Sequence, residues 1–501
     1  MDPLLIRNVF LVPLGRDEPA ATHPVDIHIE DGRVTEVGRG LPPDADTRVH
    51  DADGRWIIPG LWDHHVHLGQ VAMTNVRLDL STTRSPEEAT HIVAERLAMR
   101  PDTPLVAFGH RSATWHREPT VAELDAVSET MPIILISGDA HHAWLNSVAL
   151  RSLGLAERED VVREAEWFAA YADLETVVGQ EATPETYRRA QADAAAKGIV
   201  GVVDFEFSGG ADEWAGRWAD GADLLRLRMA TYAEGLDSVI NRGLRTGDPL
   251  PGCEFATMGP LKIISDGSLN TRTAWCCDPY ADSGDLMFPK GYANQTSHDL
   301  RMLMLRAHQN GLEVAVHAIG DAAVREALDS FDVTGAHGSI EHAQLIQEAD
   351  ARHLAATGVR GSVQPAHLLD DRDVTEYCWP DRMDRCFALR WMYDAGVPLR
   401  FGSDAPVAPL DPWLAIGAAV HRSGDAREPW NPGQSLTARE ALAASTDGWG
   451  TLAAGHPGDV VLLDSDPLAA VGDSAATGGY LRSMGVAATY SHGRLIAPLW
   501  D

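Results

Sequence analysis

The sequence predicts an α/β protein: a (β/α)8 TIM-type barrel, a small β-sandwich built from both chain ends, and an insertion after the first barrel strand. Three observations lead there. Eight apolar, strand-like runs alternate with helical segments through the middle of the chain. The two ends carry short strands without helices of their own. About 130 residues separate the first two runs, far more than a single crossover needs.

Taken in order, LLIRNVFLV, VDIHIEDGRVTEVG and TRVHDADGRWIIPG read as strands, with Asp31-Gly32 marking a hairpin. The barrel runs are IIPGLWDHHVH, GIVGVVDFEF, LLRLRMATYAE, GPLKIISDGS, GLEVAVHAIGD, GSIEHAQ, VRGSVQPAH and VPLRFGSDAPV. Segments such as HDLRMLMLRAHQN and AAVREALDSF separate them at helical periodicity. The insertion holds strands TPLVAFGH and PIILISGD and helices near 86–100 and 184–197. Strands return in GDVVLLD and GVAATYSHGRLIAPL. The expected division is 1–56 with 455–501 for the sandwich and 57–454 for the barrel, including an insertion near 70–197 over its mouth. An open doubly wound sheet is the alternative, but no Gly-rich phosphate loop follows an early strand.

Composition narrows the function. A net charge of −32 argues against nucleic acid and anionic membranes as partners. No run of about 18 apolar residues predicts a membrane span, and the N-terminus lacks a basic leader. The odd set Cys253, Cys276, Cys277, Cys378 and Cys386 suits reduced cytoplasmic thiols, with Cys276 and Cys277 as buried bystanders. A small-molecule substrate and a homodimer are expected.

The chemistry sits at strand ends. PGLWDHHVHLG places His65 and His67 two apart after an apolar run, and such residues share one face of a strand. EVAVHAIGD puts His317 at a strand end, SIEHAQ puts His342 at the next, and LRFGSDAP puts Asp404 at the eighth. A lone His or Asp after a strand is ordinarily a cap or surface residue. Strand ends of one barrel, however, converge on one face, which makes the set far more specific than its parts. Lys262 shares a strand face with Ile264 and Asp266. A lysine inside a barrel is costly unless paired or modified. Pairing with Asp266 is one answer. Reaction with carbon dioxide to a carbamate, a carboxylate-like bridging ligand, is the other.

Nitrogen and oxygen ligands without thiolate suit catalytic zinc, in one or two ions, with manganese, iron or cobalt as alternatives. Such a metal lowers the pKa of bound water to roughly 7. Asp404 is the expected catalytic group that takes the proton and passes it on. The reaction class is hydrolytic attack on a polarised carbon of an amide, ester, imide or amidine. His110, Trp115 and His116 are candidates to line an apolar cavity, and Gln364 and His367 follow the seventh strand. Arg272 follows the fourth and is placed to hold a substrate carboxylate. Asp370, Asp371 and Asp373 read as a solvated acidic loop. Arg400 shares strand parity with Asp404 and should point inward, to the barrel floor or a bulge.

In order, these motifs resemble the amidohydrolase superfamily. More narrowly they resemble the branch that contains N-substituted formamide deformylase, through GDAHHAWLNSVAL, LKIISDGSLNTRTA, VHAIGDAAV, IEHAQL, QPAHLLDD, GSDAPV, LTAREAL, GDVVLLDSDPL and HGRLI. The resemblance covers nearly the whole chain. It implies that His65 and His67 bind a first metal with Asp404, and that His317 and His342 complete a second site bridged by carbamylated Lys262. With Lys262 unmodified, it implies one metal on His65, His67, His317 and Asp404, with His342 as the catalytic residue that polarises substrate. The implied activity is metal-dependent cleavage of a C–N amide-type bond, N-formyl or N-acyl. A deaminase of an aminated heterocycle and a lactone or ester hydrolase are alternatives. A non-catalytic dihydropyrimidinase-like scaffold should have lost ligands that are present here. Where the branch shows D-G-H-S, this chain has Asp139-Ala140-His141-His142. His141 is expected to face the substrate pocket and His142 to pack or face solvent.

Overall fold

The computed structural model describes residues 2–74, 77–178, 182–207 and 210–498. Eight parallel strands form the barrel: Leu61–Val66, Ile199–Asp204, Arg226–Thr231, Ala256–Ile264, Val314–Ala318, Gly338–His342, Arg360–Val363 and Leu399–Phe401. Seven fall within the expected runs, and Ala256–Ile264 begins three residues before its run at Gly259. The eighth strand returns to the first through Asp404 N donating to His65 O (2.7 Å) and His67 N to Ala405 O (2.9 Å). The outward residues, including Val202, Leu261, Ile263, Val314, Val316 and Ile340, are buried against helices such as Ser297–Gln309 and Asp321–Thr334. Each such side chain contributes about 1.5–3 kcal/mol through lost apolar exposure. The second of these helices stops at Gly335, whose φ of 65° suits a residue without Cβ.

The two chain ends build one further eight-stranded sheet. Leu4–Leu11 passes between its halves: Leu4 to Arg7 pair with Arg48–Asp51, whereas Phe10 and Leu11 pair with Trp56 and Ile57. Trp56–Pro59 then pairs with Val460–Leu463 from the far end of the chain. The apolar run before His65 is therefore two strands, and the chain crosses into the barrel at Gly60 rather than at residue 57. A Cβ at Gly60 would sit 2.4 Å from Val200 Cγ2. Gly60→Ala is accordingly expected to cost about 1–3 kcal/mol by overpacking. A urea midpoint equal to that of the parent protein would refute this reading of the junction.

The insertion carries a five-stranded sheet of Leu78–Asp79, Leu105–His110, Ile133–Ser137, His142–Leu145 and Val162–Arg163. Helix Pro86–Met99 starts as its sequence dictates, with Pro in the first turn and Ser85 accepting from Glu88 N. Polar bonds tie the insertion to barrel loops: Ser268 Oγ donates to Asp139 Oδ2 (3.0 Å), and Arg111 Nη2 donates to Asp370 Oδ2 (2.7 Å). The insertion thus lies over the C-terminal ends of the strands. Among the described residues no helix is long and apolar enough to cross a membrane. Cys276 is buried, but Cys277 is only half-buried, beside the Arg325 guanidinium.

Candidate metal centre

Five strand ends meet at one point. His65 Nε2 lies 3.5 Å and His67 Nε2 lies 3.3 Å from Asp404 Oδ1. Lys262 Nζ is 3.1 Å from His65 Nε2. The His342 ring is centred 4.9 Å from His65 and 4.5 Å from His317. His342, His367 and Asp404 also bring ligand atoms within 4.8 Å of one another. His342 and Asp404 leave their strands with φ of 71° and 56°. These are conformations that non-glycine residues adopt only when their surroundings enforce them, and here they aim both side chains at the centre. Beneath them, Asp63 Oδ1 accepts from His65 N and Ser403 N at 3.0 Å each, joining the first and eighth strands.

The electrostatics suit ligation. Burial, with the Lys262 ammonium nearby, holds His65 and His317 well below the ordinary imidazole range. Burial and neighbouring His317 do the same to His342. Neutral imidazoles offer lone pairs. Glu341 Oε2 accepts from His65 Nδ1 at 2.7 Å, which assigns the proton to Nδ1 and turns the Nε2 lone pair toward Asp404. That lone pair faces the Lys262 ammonium at 3.1 Å, and His65, His67 and Asp404 bring ligand atoms within 4.8 Å of one another. His67 Nδ1 is also buried without a hydrogen-bond partner. The donor set therefore fits a divalent metal. Burial would raise Asp404, but His67 beside it holds the carboxyl below its ordinary range. Burial pushes Lys262 down to about 8, against the pull of Glu341 and Asp404. Glu341→Ala is expected to weaken metal binding by about 10–100-fold. Competition with a chelating dye measures this, and an unchanged affinity would mean that packing alone orients His65.

His141 faces the cavity as expected. Burial disfavours its charge, yet Glu164 Oε2 at 3.0 Å from Nδ1 raises it to about 9. Four expected pocket residues are elsewhere. Trp115 is part of the insertion core, its Nε1 donating to Thr83 O and its ring edge-on to Trp144, because an apolar ring is better buried there than at a polar mouth. Arg272 is taken up by its own loop, through Asp282 Oδ2 (3.1 Å) and Asn270 O (2.7 Å). Gln364 folds back onto Ser362 O and is buried away from the cavity. His116 is exposed beside Glu87. His142 departs from expectation in the other direction: it is buried, meets Ser112 Oγ at 2.9 Å, and lines the cavity with His110 and Asp139. Asp370 and Asp371 lie on helix Leu368–Cys378, not in a loop, and both line the same cavity. Lys262 does not pair with Asp266, whose carboxylate accepts from Ile319 N, Gly320 N and Trp275 N.

Sequence reasoning missed Glu341, because strand alternation sets it opposite His342. The positive φ of His342 breaks the alternation, so both face inward. It also missed the aromatic wall of Phe207, which stacks 5.3 Å from His67 and 5.2 Å from Tyr232.

The sequence profile of the amidohydrolase family matches residues 48–497. The YtcJ protein of Bacillus subtilis strain 168 is 26% identical over 494 residues, spanning 88% of this chain and 91% of its own. N-substituted formamide deformylase of Arthrobacter pascens is 25% identical over 518 residues, spanning 93% and 92%. An uncharacterized metal-dependent hydrolase from Pyrococcus horikoshii OT3 shares the fold at a TM-score of 0.77 and 24% identity, over 95% of this chain and 99% of that one.

Proposed function

The chain belongs to the amidohydrolase family, and from that premise we propose that it hydrolyses a C–N amide-type bond, N-formyl or N-acyl, in a small molecule. One observation carries the reading: His65 Nε2 and His67 Nε2 converge on Asp404 Oδ1 at 3.5 and 3.3 Å inside a buried site. His65, His67, His317, His342 and Asp404 would hold the divalent metal, zinc by ligand type. A metal in such a set brings the pKa of water to about 7 and polarises a carbonyl. Lys262, buried and with its pKa pushed down to about 8, is an amine readily neutral enough to take up carbon dioxide. As a carbamate it would bridge two ions.

The remaining steps belong to the side chains. Asp404 is ionised near neutrality and stands beside the attacking water's place, ready to take its proton and hand it to the leaving nitrogen. His141, kept cationic by Glu164, is placed to donate to negative charge developing on the carbonyl oxygen. Phe168, Phe207 and Tyr232 wall the cavity and limit water. The space beside the ligands shares His141, His342 and Asp404 with the cavity lined by His110, His142 and Asp370.

A panel of N-formyl, N-acyl, lactone and aminated-ring compounds, followed for amine, acid and ammonia, tests the proposal. The expected products are amine and acid from the amides. Ammonia from aminated rings alone would replace it with a deaminase.

A further inference from the structure

Arg400 points into the barrel, as its strand parity predicts, but at the end opposite the metal centre. There it lines a polar cavity of 310 Å³ together with Arg228, Arg360 and His64. Two of the three guanidiniums have carboxylate partners. Arg228 is bidentate on Asp447 (2.8 and 2.6 Å), and Arg360 bonds Glu313 (2.5 Å). Glu341, the third carboxylate of the cavity, is engaged by His65 and Ser339. Arg400 has none: its Nη1 donates only to Leu399 O (2.8 Å), and no carboxylate of the described residues stands within 4.0 Å. Gly448 makes room for the guanidinium, since a Cβ there would lie 2.2 Å from Arg400 Nη2. A half-buried cation that makes no ion pair, with Asp447 acting on it only from beyond 4.0 Å, is costly, and the cost is offset when an anion meets it. The planar fork of arginine suits an oxyanion.

We propose that the barrel floor is a binding site for a small oxyanion, phosphate or carboxylate, held by Arg400 between Arg228 and Arg360. This site is separate from the catalytic cavity and does not depend on the assigned reaction. It adjoins the metal centre through Glu341, bonded to His65, and Phe205, whose ring lies 4.5 Å from that of His65 and 4.2 Å from Lys262 Nζ.

Calorimetric titration of the metal-loaded enzyme with inorganic phosphate, and separately with succinate, tests it against chloride at equal ionic strength. At least one of the two should bind the parent enzyme at a site that Arg400→Met lacks or binds about tenfold or more weakly. The two arms tell a phosphate site from a carboxylate site. In anion-free buffer Arg400→Met should melt no lower than the parent, because it loses an unpaired charge, and the added anion should raise only the parent's Tm. Should Arg400→Met fail to fold, Arg400→Lys, which keeps the charge but not the fork, should bind the same anion more weakly than the parent. No binding of either anion, or equal binding by the variants and the parent, overturns the proposal.

Discussion

Asp404→Asn is expected to lower kcat by roughly 10²–10⁴-fold, the usual worth of a positioned general base. Asparagine keeps the shape of the side chain and an oxygen toward His65 and His67, now 3.5 and 3.3 Å from Oδ1. It cannot accept the proton. The loss should therefore fall on kcat, with KM nearly unchanged and metal content still detectable by elemental analysis. Turnover near that of the parent enzyme would remove Asp404 from the proton path.

The second large effect concerns Lys262. If its carbamate bridges two ions, Lys262→Ala should bind about one metal per chain in place of about two. It should also lose roughly 10²–10³-fold in kcat, the scale for removing one preorganised charged group. Short carboxylates such as propionate should restore part of both, because they can occupy the vacated place. Metal reconstitution of the parent protein should also quicken with added bicarbonate. Full metal content and activity in Lys262→Ala would instead leave the lysine as a counter-charge for Glu341 and Asp404, the two carboxylates that pull its pKa upward.

The legible parts of the site are those that local periodicity governs. His65 and His67 share a strand face by simple alternation, and Lys262 follows the same rule from the fourth strand. His317, His342 and Asp404 could be placed because each ends an apolar run, and the ends of barrel strands lie together. Less was legible in the insertion and the long loops. Trp115 and Arg272 looked like pocket residues because they follow strands. Their actual partners, Thr83 and Trp144 for one and Asp282 and Asn270 for the other, are chosen by how irregular segments pack. Asp370 and Asp371 looked like solvated charge, yet the insertion's Arg111 meets Asp370, while Gln344 from beyond the sixth strand donates to Asp371.

The succession of barrel strands and the metal-type side chains at their ends were legible in the sequence alone, because hydrophobic period and strand-end position are short-range properties. Only the tertiary structure decided which second partner each ligand has. Glu341 reaches His65 across 276 positions of chain, by way of a left-handed φ at His342 that no alternation rule anticipates. Arg400 was predicted to point inward, but its lack of an ion pair emerged only once Arg228 and Arg360 were seen to hold Asp447 and Glu313. Pairings of this kind depend on distances between separate strands, and those distances exist only after the barrel has closed.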